Sequence, residues 1–334
     1  MERRWIGPLQ VRPVGLGCMS LSHAYGAPPE RREAERLLLS ALDLGYDLFD
    51  TAALYGFGAN ETLVGEVLGP HRDAFVLASK CGIGRNAEGQ REINGRPDLI
   101  RRTCDESLMR LKTDVIDLYY LHRWDKKTPI EDSVGALADL VREGKIRAIG
   151  LSEVSATTLR KAHAVHPIAA VQSEYSPWTR NPEIAVLGAC RELGTSFVAF
   201  SPVGRGFLAG GVKDPRSLVE GDIRRNMPRF QGENFTANLK VLAKFEALAA
   251  SLEATSAQVC LAWLLAQGPH VTAIPGTTHP GHLEENFKAM SLQLSPQVMA
   301  QVDALAAQVS GPRYSAASQA EIDTEIEASA TAPA

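Results

Sequence analysis

Two rhythms of hydrophobic and polar positions alternate along the chain. Between residues 30 and 44, Ala34, Leu37, Leu38, Ala41 and Leu42 recur at i, i+3, i+4, i+7 and i+8. That spacing lies on one face of a helix, and Gly45 supplies its stop. Ile100, Cys104, Ser107, Leu108 and Leu111 repeat the pattern, as do Ile130, Val134, Leu137, Ala138 and Val141, ended by Gly144. Between such helices lie compact runs at residues 14–17, 47–50, 75–79, 115–121, 146–151, 170–172, 196–200 and 271–274. These runs are apolar throughout rather than alternating, which suits parallel strands buried on both faces. Strand alternating with helix calls for right-handed crossovers, in an open doubly wound sheet or a closed barrel. Eight such units favour the α/β class and a (β/α)8 TIM barrel.

Residues 4–11, around Gly7-Pro8, predict a short N-terminal hairpin capping the barrel's bottom, and a C-terminal helix completes the domain. One barrel domain over residues 1–310 is expected. Residues 209–237 are rich in Gly, Pro and Arg and lack periodicity; a loop of that kind is usually a functional lid or partly mobile. After Gly311 the chain turns rich in Ala, Ser, Thr and Glu, so residues 311–334 are expected to form a flexible tail.

Composition narrows the function. With 334 residues, 45% hydrophobic and 22% charged, the chain can build a large core. A formal charge of −4 gives no electrostatic reason to expect nucleic acid or an anionic membrane as partner. The five cysteines are scattered without a C-x-x-C pair; no disulfide framework or metal site is expected, and a reducing cytosol fits. No apolar run reaches the roughly 18 residues of a membrane span, and the opening MERRWIGPLQ lacks a signal peptide's apolar stretch. The expected location is cytoplasmic. Nothing in the pattern encodes the oligomeric state.

Chemistry gathers at the strand ends. Asp50 and Thr51 follow the second predicted strand, Lys80 the third, His122 the fourth, Ser152 and Glu153 the fifth, Gln172 the sixth, Ser201 the seventh, and Pro275-Gly276-Thr277 the eighth. Barrel enzymes build their active sites at that face. Taken singly, the Asp reads as a turn cap, Tyr55 as a half-buried aromatic, the Lys as a solvated charge and the His as a satisfied residue. Together, Asp50, Tyr55, Lys80 and His122 are complete for proton-coupled hydride transfer. A carbonyl that accepts hydride develops alkoxide charge and needs a proton donor. A lysine ammonium beside a phenol lowers the pKa of that donor, an aspartate keeps the lysine charged, and a histidine orients the carbonyl.

The run GYDLFDTAALYGFGANETLVGEVL at residues 45–68, Ser79-Lys80, LYYLHRWD, IRAIGLSEVS, AAVQSEYSPW, VAFSPVGRGFLAG and TAIPGTTHPGHLEEN follow one another in the chain. In this order they resemble the aldo-keto reductase family over roughly residues 10 to 308. The resemblance implies an oxidoreductase that interconverts aldehyde or ketone carbonyls and alcohols, with a small-molecule substrate. Tyr55 is then the general acid/base, Lys80 and Asp50 tune it, and His122 orients the carbonyl. The implied cofactor is NADP(H), with NAD(H) left open. Ser152 and Gln172 match the groups that hold the nicotinamide carboxamide, and Phe200 the aromatic that stacks on the ring. Ser201, Pro202, Gly204, Arg205, Gly206, Leu208 and Gly210 match the loop around the pyrophosphate. Pro275, Gly276, Thr277, Thr278 and His282 match the phosphate turn, and Glu285 and Asn286 the adenine contacts. Two departures stand out: Glu153 replaces the Asn of many relatives, and no Arg or Lys lies between Pro275 and Phe287 to meet a 2′-phosphate. Tyr25, Phe57, Trp124 and Trp178 are candidates for an apolar substrate cup. The alternatives are a cofactor-binding regulatory protein of this fold, like a channel β subunit, and a phosphate-binding barrel isomerase or lyase.

Overall fold

The all-apolar runs pair side by side, in chain order, in the computed structural model, which describes residues 2–22, 24–86 and 88–325. A hairpin, β1 (Arg4–Ile6) and β2 (Leu9–Val11), precedes β3 (Leu16–Gly17), β4 (Leu48–Asp50) and β5 (Val76–Cys81). A second hairpin, β6 (Ile83–Arg85) and β7 (Arg91–Ile93), follows. The series resumes with β8 (Ile116–Leu121), β9 (Ile146–Ser152), β10 (Ile168–Glu174), β11 (Ser196–Phe200) and β12 (Val271–Ile274). Strands β3, β4, β5 and β8–β12 form one parallel sheet. It closes on itself where Val14 bridges Ala273 and Gly17 N–H donates to Pro275 C=O at 3.1 Å.

Around it run α1 (Arg31–Leu44), α2 (Ala59–Leu68), α3 (Pro97–Leu111), α4 (Ile130–Arg142), α5 (Ala156–Val165) and α6 (Val186–Leu193). They continue with α7 (Gly232–Ser251), α8 (Ser256–Leu265), α9 (Pro280–Lys288) and α10 (Pro296–Ala306), and a short α11 (Ala316–Ala320) is the last helix of the described chain. The predicted helical faces are the buried ones: Ala34, Leu37, Leu38 and Ala41 of α1 are all covered, and left-handed Gly45 ends that helix. Among the described residues no single helix is long and apolar enough to cross a membrane.

Side chains of the strands divide by the two-residue period of β structure. One set meets the helices. The other fills the barrel, where Leu48, Ala78, Leu118, Tyr120, Ala148, Ala170 and Val198 pack on Ile6, Leu9 and Val11 of the first hairpin. That hairpin plugs the end remote from the site, as the pattern around Gly7 predicted.

Three expectations change. The tail does not dangle: residues 311–325 lie on the barrel mouth, with Arg313 bound to buried Glu153, Lys126 Nζ donating to Ile322 C=O at 2.6 Å and Asp323 bridging Val154. Residues 326–334 fall outside the described residues. The aperiodic segment is shorter than expected, because α7 begins at Gly232. Short 3-10 turns at Pro215–Ser217, Ile223–Asn226 and Pro228–Phe230 order the segment before it, and Leu218, Met227 and Phe230 are buried there. Finally, β5 and β9 extend past their apolar runs, so Lys80 and Ser152 lie within strands rather than after them, and β10 runs two residues beyond Gln172.

Candidate active site

The site is the next layer of the barrel interior. Each inward apolar residue is followed, two positions later, by a polar or aromatic one: Leu48 by Asp50, Ala78 by Lys80, Tyr120 by His122, Gly150 by Ser152, Ala170 by Gln172 and Val198 by Phe200. Strand alternation therefore aims all six at the carboxyl end of the barrel. Gly150 has no alternative: a Cβ there would sit 2.2 Å from the Tyr120 ring. Five of the six, Asp50, His122, Ser152, Gln172 and Phe200, border a cavity of about 440 Å³ together with Tyr55 and the loops after β3, β11 and β12, within the roughly 300–1,000 Å³ of small-molecule sites; buried Lys80 meets it through Asp50 and Tyr55.

Tyr55 comes from the loop after β4, which is pinned twice. Thr51 N–H and Ala53 N–H continue the sheet by donating to Ala78 C=O (2.9 Å) and Lys80 C=O (3.2 Å). Buried Asn60 accepts from the Thr51 hydroxyl (2.7 Å) and donates to Cys18 C=O (2.8 Å). Left-handed Gly56, Phe57 and Gly58 then turn the chain into α2. The phenol oxygen thereby lies 3.2 Å from Lys80 Nζ, and the Tyr55 and His122 rings meet edge-on at 5.8 Å. Lys80 also donates to Asp50 and, at 2.7 Å, to Thr51 C=O; Gln172 Nε2 holds the other Asp50 oxygen at 2.8 Å.

Electrostatically, burial and charge compete here. Burial works against the Lys80 ammonium, but the Asp50 carboxylate and the Tyr55 phenol leave its pKa raised. For Tyr55 burial wins: the phenol titrates above its ordinary value although the Lys80 charge opposes the shift. The lowered value expected from the lysine alone is thus corrected.

A second buried cluster, drawn from the ends of β9 and β10, the loop after β11 and residues 313–314, meets the same cavity at Arg205 and Tyr314. Glu153, left-handed at φ 54°, receives both Arg313 guanidinium nitrogens; Glu174 receives Arg205 at 2.5 Å, and Arg205 also donates to the Tyr314 hydroxyl at 2.7 Å. Burial opposes the Glu153 carboxylate, yet Arg313 and Arg123 hold its pKa below the usual range.

Of the candidate cofactor residues, Ser152, Gln172, Phe200, Ser201, Pro202, Arg205, Gly206, Gly276, Thr277, Thr278 and His282 line the cavity. Gly204, Leu208, Gly210, Pro275, Glu285 and Asn286 do not: Gly204 packs on Trp178, Leu208 is core, Gly210 turns beside Glu246, and Asn286 is buried in α9. Arg205, expected at the pyrophosphate, is instead held by Glu174. Among the substrate candidates only Tyr25 lines the cavity. Trp178 is buried among Phe207 and Phe230, Trp124 donates to Thr128 C=O at 2.8 Å, and Phe57 is half exposed beneath the Arg85 guanidinium. The cavity adds Ser20, Arg91, Arg123, Arg224 and Tyr314, which the motifs did not single out. Arg123 adjoins His122 in sequence, and that adjacency was the available signal. Above the cavity, Ile223 N–H donates to Ala24 C=O at 3.1 Å, joining the loop after β11 to the loop after β3.

Comparison with known proteins gives the chain's family. The model of the aldo/keto reductase family matches residues 13–307. An aldo-keto reductase of Schizosaccharomyces pombe, yakc, whose name specifies NADP(+), is 46% identical over 93% of this chain and 94% of its own length. A probable aldo-keto reductase of Glycine max is 42% identical over 88% of this chain and 85% of its own. Among solved structures, a glycerol dehydrogenase from Gluconobacter oxydans superposes with a TM-score of 0.83 at 30% identity, covering 94% of this chain and 98% of that one.

Proposed function

The chain belongs to the aldo/keto reductase family, and from that premise we propose that it is an NADP(H)-dependent reductase that converts aldehyde or ketone carbonyls to alcohols, or the reverse. One observation carries the reading. Inside the cavity a phenol, Tyr55, stands 3.2 Å from an ammonium, Lys80, that a buried carboxylate holds in place.

The walls fit the dinucleotide. The Ser20 hydroxyl oxygen is buried beside Gly276 without a hydrogen-bond partner among the described residues, which suits a ligand acceptor at that turn. A Cβ at Gly276 would crowd Gly17 C=O at 3.0 Å and the Ser20 hydroxyl at 3.4 Å. Ser201, Gly204, Arg205 and Gly206 are all left-handed, a conformation that turns backbone N–H groups to one side. Thr277 and Thr278 stand at the start of α9, where the helix favours an anion. When bound, the reduced nicotinamide supplies the hydride. Ser152 and Gln172 would hold its amide, Phe200 would back its ring, and Thr277, Thr278 and His282 would meet its phosphates.

Tyr55 then gives its proton to the carbonyl oxygen, His122 fixes that oxygen by a hydrogen bond, and Lys80 offsets the negative charge left on Tyr55. The reverse reaction returns the proton along the same path. Mixing the protein with NADPH and a panel of aldehydes is expected to consume NADPH absorbance. Tyr55→Phe is expected to cut kcat by about 10² or more while NADPH still binds, as read by its fluorescence. A Phe variant that turns over like the parent would remove the assignment.

A further inference from the structure

Resting on the reductase reading, the geometry points to a substrate class: we propose that Arg123 binds a carboxylate on the carbonyl substrate.

Four arginines line the cavity, Arg91, Arg123, Arg205 and Arg224, against one carboxylate, Asp50. Asp50 is taken by Lys80 and Gln172. Three of the four arginines are also taken: Arg205 by Glu174 at 2.5 Å, Arg224 by Asp222 at 2.6 Å and Arg91 by Glu321 at 2.9 Å. Arg123 is the exception, with no carboxylate at ion-pair distance among the described residues. Glu153 is the carboxylate whose charge it feels, and Arg313 occupies both oxygens of that group.

The donors left over have the right form. Arg123 Nη1 donates to His122 C=O at 2.6 Å and to Ser152 Oγ at 3.1 Å, which holds the guanidinium beside the catalytic layer. Nε and Nη2 make no hydrogen bond among the described residues. They form the parallel fork that matches the two oxygens of a carboxylate. The cofactor's phosphates do not explain this group. Their cradle belongs to the loops after β11 and β12, whereas Arg123 follows β8, on the far side of a barrel whose strands run in chain order. Arg123 also bears on Tyr55, whose phenol it helps to ionise, so an anion on Arg123 sits within reach of a carbonyl at Tyr55.

The test uses aldehydes that carry a terminal carboxylate on short to long spacers, each paired with its neutral amide, and follows NADPH oxidation. For at least one spacer the acid is expected to exceed its amide in kcat/KM by about tenfold or more, chiefly through KM. In Arg123→Gln that ratio is expected to fall to near one, and in Arg123→Lys to recover in part. Disturbance of His122 or Ser152 would lower acid and amide alike and leave the ratio standing. Equal kcat/KM for acid and amide at every spacer, or a preference that survives in Arg123→Gln, overturns the proposal and leaves the reductase reading intact. So does an Arg123→Gln enzyme that loses NADPH affinity, by fluorescence titration, with its substrate ratio unchanged. No NADPH consumption with any aldehyde overturns both.

Discussion

Two buried charge clusters flank the mouth of this barrel, and they are built from the same parts. On β4 and β5, Asp50 and Lys80 pair beside the Tyr55 phenol; across β9, β10 and the loop after β11, Glu153 and Glu174 pair with Arg313 and Arg205 beside the Tyr314 phenol. Their outcomes are opposite. At Tyr55 burial outweighs the neighbouring cation and the group keeps its proton; at Glu153 the neighbouring cations outweigh burial and the group loses it. In the second cluster each guanidinium is spent on a carboxylate of the protein itself, which closes the chain's end over the barrel. In the first, one donor on the cavity wall remains to be offered to a ligand. Burial of charge alone therefore does not mark catalysis. On the reductase reading Tyr55 differs in holding a proton it can give up into the cavity, whereas Arg205, which also lines the cavity, is spent on Glu174.

The sharpest way to break the comparison is to remove a cation from the second cluster. Arg313→Met leaves Glu153 buried without its partner, and about 3–5 kcal/mol of stability is expected to go, read as the denaturation midpoint. Glu153→Gln combined with Arg313→Met removes both charges and is expected to recover much of that loss. If the double variant is no more stable than Arg313→Met, the pair is not what fixes residues 311–325.

These regions were not equally legible. The first cluster follows from strand period: once residues 47–50 and 75–79 are read as buried parallel strands, Asp50 and Lys80 fall on the inward side. The second depends on Arg313 meeting Glu153 across 160 residues, in a segment whose composition resembles disorder. Nothing local announces that a Gly-Pro-Arg-Tyr run will be captured by two buried carboxylates. The β6–β7 hairpin was missed because its residues are mostly polar and its strands are three residues each. Trp178 misled for a related reason. An aromatic in a mouth loop reads as a cup for substrate, but here Phe207 and Phe230 enclose it and build the loop's own core.

A smaller effect tests whether the first cluster acts as one unit. Tyr55→Phe and Lys80→Met are each expected to cost about 10² in kcat, and the double variant hardly more than either, because groups serving a single proton transfer are not additive. Losses that multiply, measured as kcat at saturating NADPH, would make Lys80 an independent contributor and weaken the contrast between a proton-handling and a structural cluster.

The smallest expected effect is the one that reads the balance of burial against charge directly. Reduction needs Tyr55 protonated. Its pKa lies above the ordinary value, chiefly through burial and against the pull of Lys80, so the phenol keeps its proton through neutrality and gives it up only at higher pH. Lys80, raised on balance by Asp50 and Tyr55, stays an ammonium over the same range. The kcat/KM for carbonyl reduction is therefore expected to run level from neutral pH upward and to fall only beyond the free-tyrosine value of about 10. A lysine charge that won the competition would bring the fall below that value, where the charges alone had placed it. A pH profile with a neutral aldehyde, whose own charge does not change, separates the two: a basic limb near 10 or above keeps burial as the dominant influence on Tyr55, and a limb at about 9 or below would show that Lys80 outweighs it.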